Sequence, residues 1–478
     1  MKSIAIVGAG IAGLSIAHAI RKLAPEVRVI VLERGQRAGG NIRSELTKGY
    51  LCEWGPDGFL DNAPETLALA RAVGVEHRLL PSSNAARRRF IYRHGRLNEV
   101  PTSPVAFLSS PLLSVAAKAR IFGEPFARSR PEGDETIFDF AARRIGTEAA
   151  SAMIDSMVSG IFAGDARSLS LRACFPKMWQ LETDHGGLFR ALLATRKRRR
   201  KGDAVGAPTG RLTSFDAGME TLIRGAAEAL GGSLRTSSGV ESLRRGRATR
   251  GVVDLSPAAG FTLATAGGTV EADAVVLAGP ATESAALIRP FDADTAALLA
   301  GIPTASLAVV CLGYDEQGIA AERGPLDGFG FLVPRSENVR ILGALWETSI
   351  YPGHRAPEGK ALVRVMIGGA LDPEAVVLDD EQLIAIVRAD LARTMGLKNP
   401  PEFVRIIRHA RGIPQYTVGH LARLERIGEQ LQAHPGLLLA GNSYHGVSIN
   451  SCIAEADRIA EGALLHVRAT DQRLERVS

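Results

Sequence analysis

The residues best placed to do chemistry stand near the amino terminus, where Gly8-Ala9-Gly10-Ile11-Ala12-Gly13 follows the apolar run Ser3–Val7. The three glycines have separate uses: Gly8 allows a tight bend, Gly10 lets the backbone approach a pyrophosphate, and Gly13 lets helix and strand pack closely. Amides opening the next helix then face the phosphates. Glu33 closes a second apolar run, Val27–Leu32. A carboxylate there can accept hydrogen bonds from both ribose hydroxyls and repel an added phosphate. Type and spacing predict a dinucleotide on a strand, turn and helix, with Ala9, Ile11 and Ala12 in the turn and Arg34 just after the carboxylate. NAD and FAD fit this pattern equally.

Other elements must complete such a site. Arg37-Ala38-Gly39-Gly40-Asn41-Ile42-Arg43 sets two glycines beside each other, so the backbone can pass a pyrophosphate that Arg43 neutralises. This R-x-G-G element resembles the one that follows the second strand in glutathione-reductase-type flavoproteins, above all in their amine-oxidase-like branch, and the resemblance implies FAD. Near the other end, an apolar strand closes on Gly441-Asn442, and Gly446–Ser451 leads into a helix expected over 452–467. In that superfamily this helix start lies beside the flavin ring and stabilises negative charge on it. The run Ala272–Pro280 resembles the strand that returns the chain to the nucleotide sheet. A discontinuous FAD domain is therefore expected.

At 478 residues the chain has room for about three domains. Its four cysteines are too scattered for a Cys-x-x-Cys pair or a disulfide framework, which suits a reducing, cytoplasmic setting. Only nine of the 57 basic residues are lysine, and aromatics make up 5%. That argues against nucleic-acid binding, which calls for clustered basic residues interleaved with aromatics. No apolar stretch reaches the length of a membrane span. Ser3–Val7 already reads as a strand, so a secretory leader is not expected.

Five further segments are more specific: Gly55-Pro56-Asp57-Gly58-Phe59, Val158–Asp165, Gly328–Pro334, Gly412–Tyr416 and Gly441–Val447. From about residue 3 to about residue 465 the sequence resembles the protoporphyrinogen/coproporphyrinogen oxidase family of amine-oxidase-like flavoproteins. The resemblance implies an α/β fold: a glutathione-reductase-type, Rossmann-like FAD domain (1–88, 205–290, 405–470), a mixed-sheet substrate domain (89–102, 291–404) and a helical membrane-contact segment (103–204). It implies oxidation of protoporphyrinogen IX, with coproporphyrinogen III as the bacterial alternative, and O2 reoxidising the flavin to give hydrogen peroxide.

Family-matched residues follow from it. Arg89 would hold a substrate propionate, and Phe329, Gly330, Leu332, Met366 and Gly160 would wall the pocket. Gly40, Asn41, Gly55, Pro56, Asp57, Gly58, Val240, Gly441, Asn442, Val447, Ser448 and Ile449 join the cofactor set. Arg87 to Tyr92 reads as a strand that aims Arg87 and Arg89 to one face. No catalytic acid or base is assigned and no metal site is expected. With no cysteine between Cys311 and Cys452, FAD is expected to be dissociable. An amine oxidase, a carotenoid desaturase and a non-catalytic FAD-scaffold binding module are the competing readings.

The span 103–201 reads as apolar helices broken by Pro104, Pro111, Pro125 and Pro131. Gly187–Leu193 is amphipathic and runs into the basic stretch 196–201, a pattern that predicts a helix lying on an anionic bilayer. Oligomeric state is left open, a homodimer among the options.

Overall fold

Five short parallel strands form the nucleotide sheet, in the order Leu234–Arg235, Arg28–Leu32, Ser3–Val7, Ala274–Leu277, Leu437–Leu439. The inner strands are near-continuous Val, Ile, Leu and Ala because both faces are covered, as parallel sheets require. Ile4 and Ile6 face the helices Ile11–Leu23 and Ala456–Glu475, while Ala5, Ile30 and Leu32 face the small antiparallel sheet carrying Leu243, Phe261 and Leu263. The strands come from widely separated parts of the chain, so the sheet is assembled from distant segments.

The computed structural model describes residues 2–127, 132–200, 210–249, 252–254 and 260–475, with side chains left out at 195–200, 247–249, 252–254 and 470–475. Two expectations change. The helix expected over 452–467 is two helices, Ile449–Ala454 and Ala456–Glu475, because the first ends at Glu455. The strand Phe403–Pro414, expected mostly in the third FAD segment, is instead the edge of the second large sheet, paired antiparallel with Thr304–Asp315.

That second sheet has seven strands, ordered Phe403–Pro414, Thr304–Asp315, Lys360–Gly368, Ile341–Trp346, Gly330–Leu332, Arg89–Arg93, Arg96–Glu99. All pairs are antiparallel except Gly330–Leu332 with Arg89–Arg93, which makes it mixed. Val363, Val365 and Ile367 pack against Leu383, Val387 and Leu391 of the helix Asp380–Met395. Strand alternation turns Leu362, Arg364 and Met366 to the opposite face, towards the nucleotide domain.

In the helical segment the prolines start turns more than they break them. Pro104 and Pro176 open Pro104–Ser109 and Pro176–His185, and Pro125 sits in the 3-10 turn Glu124–Phe126. Proline costs little there, since its missing N–H has no intrahelical partner. Pro131 lies outside the described residues. A 3-10 turn, Ala85–Arg87, takes Arg87 out of the strand, which begins at Arg89. Among the described residues, no helix is long and apolar enough to cross a membrane.

Candidate active site

A cavity of about 660 Å³ opens where the nucleotide strands end. Gly8, Gly10, Ile11 and Ala12 form its floor, with Glu33, Arg34 and Val240 at one end. At Gly13 an added Cβ would stand 2.0 Å from the Gly8 carbonyl oxygen, so only glycine lets the helix meet the turn; at Gly10 a Cβ would meet nothing within 4 Å, leaving the backbone open to the cavity. This cradle, made of backbone, fits a pyrophosphate. Glu33 Oε2 accepts from the Ala9 N–H at 2.9 Å and Oε1 from the Gly35 N–H at 2.7 Å. Each oxygen keeps a lone pair for a ribose hydroxyl.

Gly40, Asn41 and Pro56 line the middle of the cavity. Arg37 fixes this loop from behind, donating to the carbonyls of Ala38, Gly40 and Ile42 at 2.9, 3.0 and 3.1 Å. Arg43 is not on the cavity wall: its guanidinium stacks 4.0 Å from the Trp54 ring centroid, drawn by the electron-rich face. At the rim Arg34 and Arg411 converge on Glu283, with closest contacts of 2.6 and 3.3 Å.

The far end is lined by Gly441, Asn442, Val447, Ile449 and Cys452. Ser448 is not among the lining residues; its hydroxyl caps the six-residue helix Ile449–Ala454 by accepting from the Ser451 N–H at 3.1 Å. Tyr416 shapes this turn. Its hydroxyl donates to the Asn442 carbonyl at 2.5 Å and accepts from the Gly446 N–H at 2.8 Å. His420 stacks on the Tyr416 ring at 4.2 Å and lies 3.0 Å from the Tyr444 carbonyl, and burial pushes its imidazole down to about 4. Gln415 donates to the Phe162 carbonyl at 2.8 Å. Segments 158–165, 412–416 and 441–447, separate in sequence, are thus tied together by Gln415 and Tyr416.

The expected substrate residues meet on the face of the seven-stranded sheet that is turned towards the nucleotide domain. Register aligns Leu332 with Gly343 and Gly343 with Met366, and in the next row Arg89 with Gly330, Gly330 with Leu345 and Leu345 with Arg364. Gly330 has a φ of +128°, and a Cβ there would lie 2.0 Å from the Ala344 oxygen. Gly160, inside the helix Asp155–Phe162, packs against Leu332. Phe329 packs beside Ile350 and Tyr351, with the Arg89 guanidinium 5.1 Å from its ring centroid. Arg89 is exposed and has no carboxylate partner among the described residues, unlike Arg88, which pairs with Glu99 at 3.0 Å and with Asp327.

Between the two halves, Gly55 and Asp57 meet a buried cluster of Glu53, Glu347, Arg355 and Arg364, and Gly58 abuts the Tyr351 hydroxyl. Sequence reasoning missed Glu347, Arg355, Arg364 and Tyr416. The only sequence signal for them was a charge within the apolar strand Ala361–Gly368 and a tyrosine after Ile413-Pro414-Gln415.

The profile of the family described as flavin containing amine oxidoreductase matches residues 11–464. The chain belongs to that family. The flavoprotein's cofactor is FAD. It is 32% identical to human protoporphyrinogen oxidase, over 97% of this chain and 98% of the relative. It is 29% identical to coproporphyrinogen III oxidase of Bacillus subtilis (strain 168), over 98% of both. A crystal structure from Exiguobacterium sp. 255-15, provisionally assigned as a protoporphyrinogen oxidase, superposes with a TM-score of 0.81 at 27% identity, covering 97% of this flavoprotein and 99% of that chain.

Proposed function

We propose that this flavoprotein oxidises protoporphyrinogen IX to protoporphyrin IX in tetrapyrrole biosynthesis, with O2 as the electron acceptor and hydrogen peroxide as product. The observation that carries the reading is the alignment of Leu332, Gly343 and Met366 across neighbouring strands, with Arg89, which has no carboxylate partner among the described residues, in the adjoining row, on the sheet face turned to the nucleotide domain. A macrocycle with apolar faces and propionate arms calls for apolar walls and an anchoring guanidinium. Bound FAD supplies a hydride acceptor for the bridging carbon. The chain's own part is placement: Leu332, Met366 and Phe329 fix the plane of the ring, Arg89 fixes its rotation, and the pyrrole proton leaves to solvent. Three rounds of this oxidation, with the fourth bridging carbon passing one proton to a pyrrole nitrogen by tautomerisation, remove six hydrogens in all and make the ring aromatic.

The FAD domain is read as the glutathione-reductase type, with Ala9, Gly13, Gly55, Asp57 and Gly58 shaping the cradle and the lining residues touching FAD. Mixing anaerobically prepared protoporphyrinogen IX or coproporphyrinogen III with the FAD-loaded protein in air, and following porphyrin fluorescence, tests the activity. Faster turnover of protoporphyrinogen supports the reading. Preference for coproporphyrinogen reassigns the substrate, and no gain over the enzyme-free rate rejects both.

Peripheral attachment to an anionic membrane belongs to the same proposal, with its centre moved. Val105, Leu108, Val115, Phe122 and Phe126 are all exposed on the helical segment, Phe126 at 90%, and Leu192 and Leu193 are exposed on the helix Leu188–Arg200. The side chains of the basic stretch 196–201 lie outside the described residues. Co-sedimentation with anionic vesicles, lost in Phe122→Ser/Phe126→Ser, supports attachment; equal co-sedimentation of both proteins dismisses these residues.

A further inference from the structure

Between the turn Gly55–Gly58 and the seven-stranded sheet lies a closed cluster of charge. Glu53, Asp57, Glu347, Arg355 and Arg364 are each 7% exposed or less, and Tyr351 and Cys311 complete its walls. Arg364 donates from Nε to Glu347 Oε1 at 2.5 Å and from Nη1 to the Gly55 carbonyl at 2.7 Å, with Nη2 3.8 Å from Asp57 Oδ1. Arg355 donates to Ser214 Oγ at 2.9 Å and stands 3.9 Å from Glu347 Oε2. The Glu53 carboxylate accepts from the Met219 N–H and the Ser44 hydroxyl, both at 2.8 Å. By contrast, both Asp57 oxygens and Glu347 Oε2 are without a hydrogen bond.

Three carboxyl groups share this interior with two guanidinium groups. If all are ionised, one negative charge is left over away from water, an arrangement whose desolvation cost is not recovered. Arg364 reaches both Asp57 and Glu347, and two carboxylates so gathered have no proton to offer one another, which fits the lack of a hydrogen bond at both Asp57 oxygens and at Glu347 Oε2. A single proton between them removes the excess charge and makes a hydrogen bond at the same time. Burial pushes the Glu53 carboxyl up as well, to about 7, but the Met219 N–H and the Ser44 hydroxyl hold its ionised form, whereas Asp57 and Glu347 Oε2 have no such donors.

We infer that Asp57 and Glu347 share one proton in the FAD-loaded protein, and that this proton locks the cofactor-facing turn Gly55–Gly58 onto the substrate sheet. Burial and the facing Asp57 charge push Glu347 in the same direction, well above the usual carboxylate range. Glu347 is a positioning residue, acting through Asp57 and the adjoining Pro56, which lines the cofactor cavity. Tyr351 Oη and Arg355 Nε and Nη1, buried and also without a hydrogen bond, leave polar sites for internal water beside the pair. Losing the proton restores the excess charge, separates the two carboxylates and loosens Pro56 from FAD, so the lock holds at low pH and fails as pH rises.

The lock rests on the FAD site and not on which porphyrinogen is oxidised. Its test is the rate of FAD release from the holoenzyme, read as free-flavin fluorescence between about pH 6 and about pH 9, in wild type, Glu347→Gln and Asp57→Asn. Wild type should release FAD about tenfold faster at the alkaline end, the effect of about one unit of proton linkage. Either amide supplies a permanent N–H to the remaining carboxylate and keeps the charge of the protonated pair. Glu347→Gln should therefore match wild type near about pH 6 and stay flat, while Asp57→Asn, which also alters the cradle, is read by its slope alone and should be flat at whatever rate it sets. A flat wild-type profile, or amide variants that release FAD faster at every pH with the wild-type slope, overturns the lock. Should one variant fail to fold, the other decides, together with an infrared carboxylic-acid band in wild-type holoenzyme, whose absence also overturns it. Porphyrinogen turnover enters none of these readouts.

Discussion

The two halves of the active site are built by opposite means. At the nucleotide end the proposed site is backbone: glycines clear the way and Glu33 is held by two main-chain amides. At the proposed substrate end it is side chains, gathered from neighbouring strands by cross-strand register and backed by a buried ionic cluster. A site made of backbone tolerates almost no added atom. One made of side chains degrades by steps, each set by the interaction removed.

Gly13→Val is the severest test of that contrast. With a Cβ placed 2.0 Å from the Gly8 oxygen, helix and turn cannot both keep their places, and the purified protein should carry no FAD absorbance. Retained yellow colour would mean that the cradle yields more than its geometry allows. Arg364→Met comes next. It leaves Glu347 and the Gly55 carbonyl buried without their donor, and denaturant unfolding should report a loss of about 3–5 kcal/mol.

Arg89→Ala should act on binding alone, raising KM for a porphyrinogen about tenfold with kcat little changed, because a propionate anchor holds substrate and transition state alike. An equal fall in kcat would place Arg89 closer to the reacting carbon than the sheet face suggests. The last effect belongs to His420 and shows only in acid. Its imidazole, near 6.5 when unfolded, is held down to about 4 by burial, so protonation favours the unfolded chain. Its contribution is complete above about pH 6.5 and is lost below it, by at most about 1.4 kcal/mol per pH unit, until about pH 4. Thermal unfolding of His420→Gln should show a shallower acid limb than wild type.

Legibility in the sequence follows the same division. Gly8, Gly10, Gly13 and Glu33 sit within one strand–turn–helix–strand passage, so local spacing carries their geometry. Arg364 and Glu347 read alone as ordinary charges, and only the pairing of Ile341–Trp346 with Lys360–Gly368 shows that Arg364 faces the nucleotide domain. Arg89 was legible only by family likeness; the alternation that was to support it failed at Arg87, where a 3-10 turn precedes the strand. Tyr416 stood out only as part of the segment Gly412–Tyr416 and was given no role, because its role is to join two turns distant in sequence. The break at Glu455 was missed because apolar spacing continues across it.

The edge strand Phe403–Pro414 begins deep in the substrate sheet, and at its far end Arg411 meets Glu283 at the cofactor rim while the Gly412 carbonyl takes a hydrogen bond from Asn41 at 3.5 Å. A beam anchored in both lobes leaves them no free hinge. Any shift of that strand is therefore felt both in the sheet and at the rim of the cofactor cavity.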